Sequence, residues 1–373
     1  MLLVIGRDRL VRHCLLATIA CAAFTLTARA DDKATTKSYD ESVKKALAYL
    51  TKSQGGDGSF SPQTGPAVTA IVGAAALRNG ATTKDPLVAK ALKYVEGFVH
   101  DDGGIYKDGS RNRNYETCVA VLLFSEANAD GKYADLLKKA DAFLKKGIWD
   151  ESEGVKPDSI TYGGAGYGQA ERPDLSNTAF LIDALHASGT SADDESMQRA
   201  LVFISRCQNL PGPHNTTPLA DKNPDGGFFY TPALGGQSPA GKTDNGGLRS
   251  YGSMTYAGLK SMIYCGVNES DPRVKAAAKW AKEHYTLAEN PGMADAGLYY
   301  YYQVFAKGLS TMKLKEVTDA DGKSHDWRAE LISALAERQQ PDGSWVNKNP
   351  RWMENEANLV TAYALLALSY AKP

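Results

Sequence analysis

The residues most able to do chemistry in this chain are acids and hydroxyls at the beginnings of apolar, helix-period segments. Glu116, Asp174, Asn177, Ser253, Thr255, Asp295 and Glu356 each stand at or just before such a first turn. If those helices point their N-termini at one opening, the side chains form a ring of carboxylates and hydroxyls able to give and take protons. Glu116, Asp174 and Asp295 are then the candidate catalytic groups. The same positions suit plain N-capping, because acids satisfy the first orphan N–H groups and complement the helix dipole. Both roles stand for every one of them. Arg172 lies two residues before Asp174, and its charge is expected to lower that acid's pKa.

Asn177, Ser253, Thr255 and Glu356 are candidate ligand contacts, together with Tyr162, Tyr167, Tyr256 and Tyr299. Tyr162 and Tyr167 bracket Gly163-Gly164-Ala165-Gly166, with Gly168 following. No strand precedes this stretch and no Lys-Ser/Thr follows, so it reads as flexible rim rather than a phosphate loop. Tyr299 to Tyr302 are four consecutive aromatics on one helix. At about 100° per residue they sweep most of the circumference, so one or two face any cavity. There they can offer cation–π contacts or stack on a sugar, while the rest pack between helices.

No cofactor motif is present. The histidines outside the first thirty residues (His100, His186, His214, His284 and His325) stand on different segments without metal-ligand spacing, so no metal is expected. Lys and Arg number 42 against 43 Asp and Glu, a net charge of −1. That balance disfavours nucleic acid as a partner and leaves a small molecule, lipid or glycan. Arg7, Arg9 and Arg12, the apolar run 14–27 and Ala28-Arg29-Ala30 have the layout of a secretory signal cleaved after Ala30. The expectation is export to the periplasm or beyond, with no transmembrane segment in the mature chain. Cys21 leaves a lipoprotein as the alternative. Cys118, Cys207 and Cys265 remain, spaced too widely for a disulfide framework. Each is expected to pack as a small hydrophobe, with one bond among them permitted in an oxidising compartment.

The elements that must place these groups are repeats. A first helix recurs as KKALAYL (44–50), AKALKYV (89–95), KKADAFL (138–144), QRALVFI (198–204), AAAKWA (276–281) and AELISAL (329–335). Five residues past the anchor position stands Gln54, Gln208 or Gln339. Glycine turns ending in an aromatic follow as GGDGSF (55–60), DDGGIY (101–106), PDGGFF (224–229) and PDGSW (341–345). Second helices come next near 66–77, 114–127, 176–189, 253–266, 294–308 and 355–368, several closing on Gly80, Gly189, Gly266 or Gly308. The first helices alternate charge with apolar residues; the second are apolar nearly all round, which demands burial on every side. Six hairpins of this kind predict an all-α, single-domain (α/α)6 toroid over 40–373, after a signal at 1–30 and a tail at 31–39. Residues 209–252, with six prolines and nine glycines, form an insertion expected to fold over the mouth as a lid or wall.

Gln followed by Gly-x-aromatic, best seen as Gln339-Gln340-Pro341-Asp342-Gly343-Ser344-Trp345, resembles the QW repeat of the terpenoid cyclase and protein prenyltransferase superfamily. The resemblance covers about 40–371 and implies the toroid. It also implies that the glutamine amide satisfies carbonyls at the end of its own outer helix, while glycine lets the aromatic seal one repeat on the next. The catalytic signatures of the family are missing. There is no Asp-x-Asp-Asp, the acidic pairs Asp101-Asp102 and Asp193-Asp194 reading as loops. The segment 299–310 lacks the zinc-binding histidine of a prenyltransferase, and the Cys-Gly-Glu-Gln of thioester domains is absent. Three readings stay open: a cyclase-like or lyase-like protein holding an apolar ligand in the toroid, a carbohydrate lyase or glycosidase using two rim carboxyls drawn from Glu116, Asp174, Asp295, Glu354 and Glu356, and a non-catalytic binding module.

Overall fold

The computed structural model describes residues 33–168 and 172–373. The expected signal at 1–30 lies outside the described residues. Among the described residues twelve α-helices follow one another in pairs. They are α1 (33–53), α2 (Ala67–Arg78), α3 (Pro86–Glu96), α4 (Arg113–Glu126), α5 (Ala134–Lys145) and α6 (Leu175–Ala187), then α7 (Glu195–Arg206), α8 (Gly252–Tyr264), α9 (Pro272–Glu283), α10 (Leu298–Thr311), α11 (Trp327–Arg338) and α12 (Ala357–Ala371). Helix α1 begins at 33, so it takes in most of the stretch read from sequence as a tail. The described strands are one short antiparallel pair, β1 (Val317–Thr318) with β2 (Ser324–His325).

The even-numbered helices make a closed inner ring. Each packs on the next, α2 on α4 through to α10 on α12, and α12 returns to α2. Their sequences dictate this place: Ala67 to Ala76 are buried in one unbroken run in α2, as only a helix walled on all sides can be. The odd-numbered helices bury one stripe each, as with Leu87, Val88, Ala91, Leu92 and Val95 of α3. Local signals set the ends. Asp271 caps α9 through the Arg273 N–H and Pro272 opens its first turn. Gly80, Gly189 and Gly266 stop their inner helices at positive φ (95°, 93° and 81°). Gly308, expected to do the same, lies inside α10, where it admits the Tyr256 ring. Among the described residues no helix is long and apolar enough to cross a membrane. Cys118, Cys207 and Cys265 are buried and unbonded.

Three recurring contacts join one repeat to the next. The glutamine amide does not serve its own helix end. Gln54 Nε2 donates to Gly58 O in the turn (3.0 Å) and to Leu87 O in the first turn of the next outer helix (2.9 Å). Gln208 bridges Gly226 and Arg273, and Gln339 bridges Gly343 and Ser42, which closes the circle from α11 to α1. The turn glycine then passes close to that neighbour: at Gly343 (φ +93°) an added Cβ would lie 2.4 Å from Lys45 O. The third contact is a threonine one turn into the inner helix. Thr69, Thr117, Thr178, Thr255 and Thr361 accept the N–H groups of Phe60, Ile105, Ala165, Phe228 and Trp345.

Candidate functional site

The inner helices begin around one cavity of about 420 Å³. Ala67 and Val68 of α2, Tyr115 of α4, Ser176, Asn177 and Phe180 of α6, Ser253 and Met254 of α8, Tyr300 of α10, and Leu359 and Tyr363 of α12 line it. Loops complete the wall with Gln63, Thr64, Asn112, Tyr167, Tyr230, Tyr251, Trp352, Met353 and Glu354. The expectation of a shared mouth is met. Its chemistry is aromatic rather than acidic, and among the described residues neither Lys nor Arg lines it.

The helix N-termini at this mouth are already served. Tyr167 O receives the Asn114 and Tyr115 N–H groups of α4, and Tyr230 O receives that of Leu175 in α6. Asn290 Oδ1 takes the Ser253 N–H (3.0 Å), Glu354 Oε1 that of Tyr300 (2.8 Å), and Glu356 Oε2 that of Leu359 (2.8 Å). An incoming anion therefore finds few free donors of the kind that make helix ends into phosphate sites.

The acids divide accordingly. Asp174, 1 % exposed, is the N-cap of α6, accepting the Asn177 N–H at 2.9 Å and Asn177 Nδ2 at 2.8 Å. Burial raises its pKa to about 6 in spite of these donors and of Arg172, whose expected lowering is the smaller effect. Arg172 instead donates to Gln237 Oε1 and sits over the Tyr230 ring. Asp174 stands behind Asn177 and Tyr230 and does not line the cavity. Glu116 is buried too; it accepts the Lys107 N–H (2.7 Å) and the Ser110 hydroxyl, and burial raises its pKa. Asp295 is exposed and accepts from Asn349 Nδ2. Neither lines the mouth. Of the five acids named above, Glu354 is the one in the wall. Both its oxygens are engaged, by Tyr300 N–H and by Asn347 Nδ2 (2.7 Å), and burial pushes it up to about 6.

Among the candidate ligand contacts, Tyr167, Asn177 and Ser253 line the cavity. Tyr162 does not: its hydroxyl donates to Glu151 (3.0 Å). The glycines beside it form the tight turn of the third repeat rather than a flexible rim, since Gly163 (φ +82°) packs against Arg199 O. Thr255 is one of the turn-binding threonines. Tyr256 packs edge-on to Tyr301 and Phe305. Tyr299 packs edge-on to Tyr302, and Tyr300 is the member of the tyrosine run that faces the mouth. Glu356 caps α12. Missed from sequence were Tyr115, Phe180, Tyr230, Tyr251, Trp352 and Tyr363. Tyr230 and Tyr251 belong to the glycine- and proline-rich insertion, which supplies part of the wall. Among the described residues no group of three His, Cys, Asp or Glu side chains could hold a metal.

Further along the ring's interior, Asp183 of α6 binds Lys260 of α8 and Lys307 of α10, the latter at 2.7 Å. All three side chains are buried, and burial pushes Lys260 down to about 8.

The architecture is a terpenoid cyclase-like toroid. Similar solved structures include the type II terpene cyclase MstE from Scytonema in complex with merosterolic acid A, at 16% identity and a TM-score of 0.57 over 91% of this chain and 99% of that one. The same enzyme with geranylgeranyl dihydroxybenzoate aligns at 16% identity and a TM-score of 0.55, over 91% and 99%. A protein from Actinoplanes aligns at 14% identity and 0.53, over 90% and 100%. No family model and no curated protein matches the chain. At such identities the likeness is one of fold.

Proposed function

We propose that this chain is an exported protein that holds an uncharged, largely hydrocarbon molecule of isoprenoid type in the mouth of its toroid. The observation that carries this reading is the wall itself: among the described residues it has eight aromatic side chains and no Lys or Arg, and it encloses about 420 Å³, within the range of small-molecule pockets. Several of the wall's polar groups are held by the protein: Ser176 Oγ and Tyr300 OH lie 3.0 Å apart, Glu354 accepts from the Tyr300 N–H and from Asn347, and Ser253 Oγ accepts from Asn290, so an apolar guest leaves these groups partnered. The neighbouring cyclase, whose substrate carries a geranylgeranyl chain, lends the ligand class further support.

The reading is one of binding rather than of cyclisation started by a protonated carboxyl. Glu354, the carboxyl in the wall, turns both oxygens to donors of the protein. The carbohydrate alternative expects two carboxyls flanking one bond, and four of its five candidate acids stand outside the lining. Trp352, 45 % exposed at the rim, is a built-in reporter. Titration of the purified protein with farnesol should shift its emission to the blue and saturate. Farnesyl diphosphate should bind more weakly, and cellotriose not at all. Saturable binding of cellotriose without response to farnesol would reverse the assignment.

A further inference from the structure

One side chain of the wall carries a buried acceptor without a partner. Asn177 lines the cavity and is 1 % exposed. Its amide nitrogen is committed to Asp174 Oδ2 at 2.8 Å. Its carbonyl oxygen Oδ1 is buried without a hydrogen-bond partner. An unpaired buried acceptor forfeits the hydrogen bond it had in water, so native structures rarely keep one without a use.

The orientation of the amide is not arbitrary. An ionised carboxylate accepts hydrogen bonds and donates none. Asp174 already takes the Asn177 backbone N–H at 2.9 Å, and its second oxygen faces the side-chain amide. That oxygen requires the NH₂ group and turns the carbonyl away. The acid behind the wall thus fixes which end of the amide is left for a guest.

We propose that Asp174 and Asn177 form a hydroxyl-recognition point, with Asn177 Oδ1 accepting a hydrogen bond from a donor on an otherwise hydrocarbon ligand. The ligand class is thereby narrowed to an isoprenoid-type alcohol or phenol, as against a hydrocarbon, an ether or an ester. Asn177 is the contact and Asp174 a positioning residue. This rests on the reading of the mouth as an apolar binding site.

The test compares farnesol with farnesyl methyl ether, which keeps the carbon chain and the oxygen but has no donor. Trp352 emission gives both affinities. The wild-type protein should bind the alcohol about tenfold more tightly, the effect of leaving one buried acceptor unpaired. Asp174→Asn lets the Asn177 amide turn over against a neutral neighbour, and should abolish or invert the preference while total binding persists. Asn177→Leu should remove the preference. Circular dichroism reports whether that variant folds; if it does not, the other two arms decide. Equal affinities for alcohol and ether in the wild type overturn the recognition point but leave the apolar site standing. A preference that survives Asn177→Leu overturns it too. Failure of both compounds to bind overturns the apolar reading and this inference with it.

Discussion

Replacing Asp174 with asparagine should change how stability depends on pH. The carboxyl ordinarily titrates at 3.8 and is raised to about 6 in the fold by burial. The folded state therefore keeps a proton that the unfolded chain releases. The resulting stabilisation is fully present below the unfolded value and is lost as pH rises through the folded one. About two pH units of difference, at about 1.4 kcal/mol each, amount to about 3 kcal/mol. Asparagine retains an acceptor for the Asn177 N–H and has no charge to bury. Urea unfolding of both proteins, followed by circular dichroism from about pH 4 to about pH 7.5, isolates the effect. Glu354 is also raised to about 6, but it titrates in both proteins and cancels in the difference. Wild type should lose about 3 kcal/mol relative to the variant across that interval. A difference that stays constant, or one in which wild type gains with pH, would refute the reasoning. It would mean that Arg172, Tyr230 and the Asn177 donors outweigh burial.

Other expectations follow from the repeats and the interior. Gly343→Ala should cost about 2 kcal/mol or more, because its Cβ would meet Lys45 O at 2.4 Å, whereas Gly80→Ala, also at positive φ but with nothing within 4 Å, should cost about 1 kcal/mol. Calorimetry of the two variants side by side checks the contrast. Thr361→Val leaves the buried Trp345 N–H without its acceptor and should lower stability by about 1–3 kcal/mol, as read from the urea midpoint. Asp183→Asn strands Lys260 and Lys307 in the interior and should destabilise by about 3–5 kcal/mol; a nearly silent variant would show that water reaches them. Farnesol incubated with the protein should be recovered unchanged by gas chromatography, since Glu354 in the wall has both oxygens engaged by Tyr300 N–H and Asn347.

Much of the architecture is legible in the sequence for a physical reason. An inner helix must be apolar on every face and an outer one on a single stripe, and this contrast recurs six times. The threonine of each turn contact was equally visible, at 69, 117, 178, 255 and 361, always in the first turns of an inner helix. Its meaning appears once the turn backbone is seen folding onto it. The cavity wall is harder to read. Glu354 and Glu356 are two residues apart, yet one enters the wall and the other caps α12. A turn with Trp352 and Met353 at positive φ leads into them, and nothing local announces that conformation in non-glycine residues. Tyr299 and Tyr300 differ by about 100° around α10, and only the packing of its neighbours decides which one faces the mouth. Tyr230 arrives from a long insertion whose course no periodicity reveals.

Filling the cavity tests the central claim most directly. Ala67→Phe and Met254→Trp place bulk in the wall from two different helices, and calorimetric titration with farnesol reports what remains. The account predicts that both variants stay folded by circular dichroism and bind at least tenfold more weakly than wild type. Undiminished binding in the folded variants would place the ligand elsewhere and contradict it.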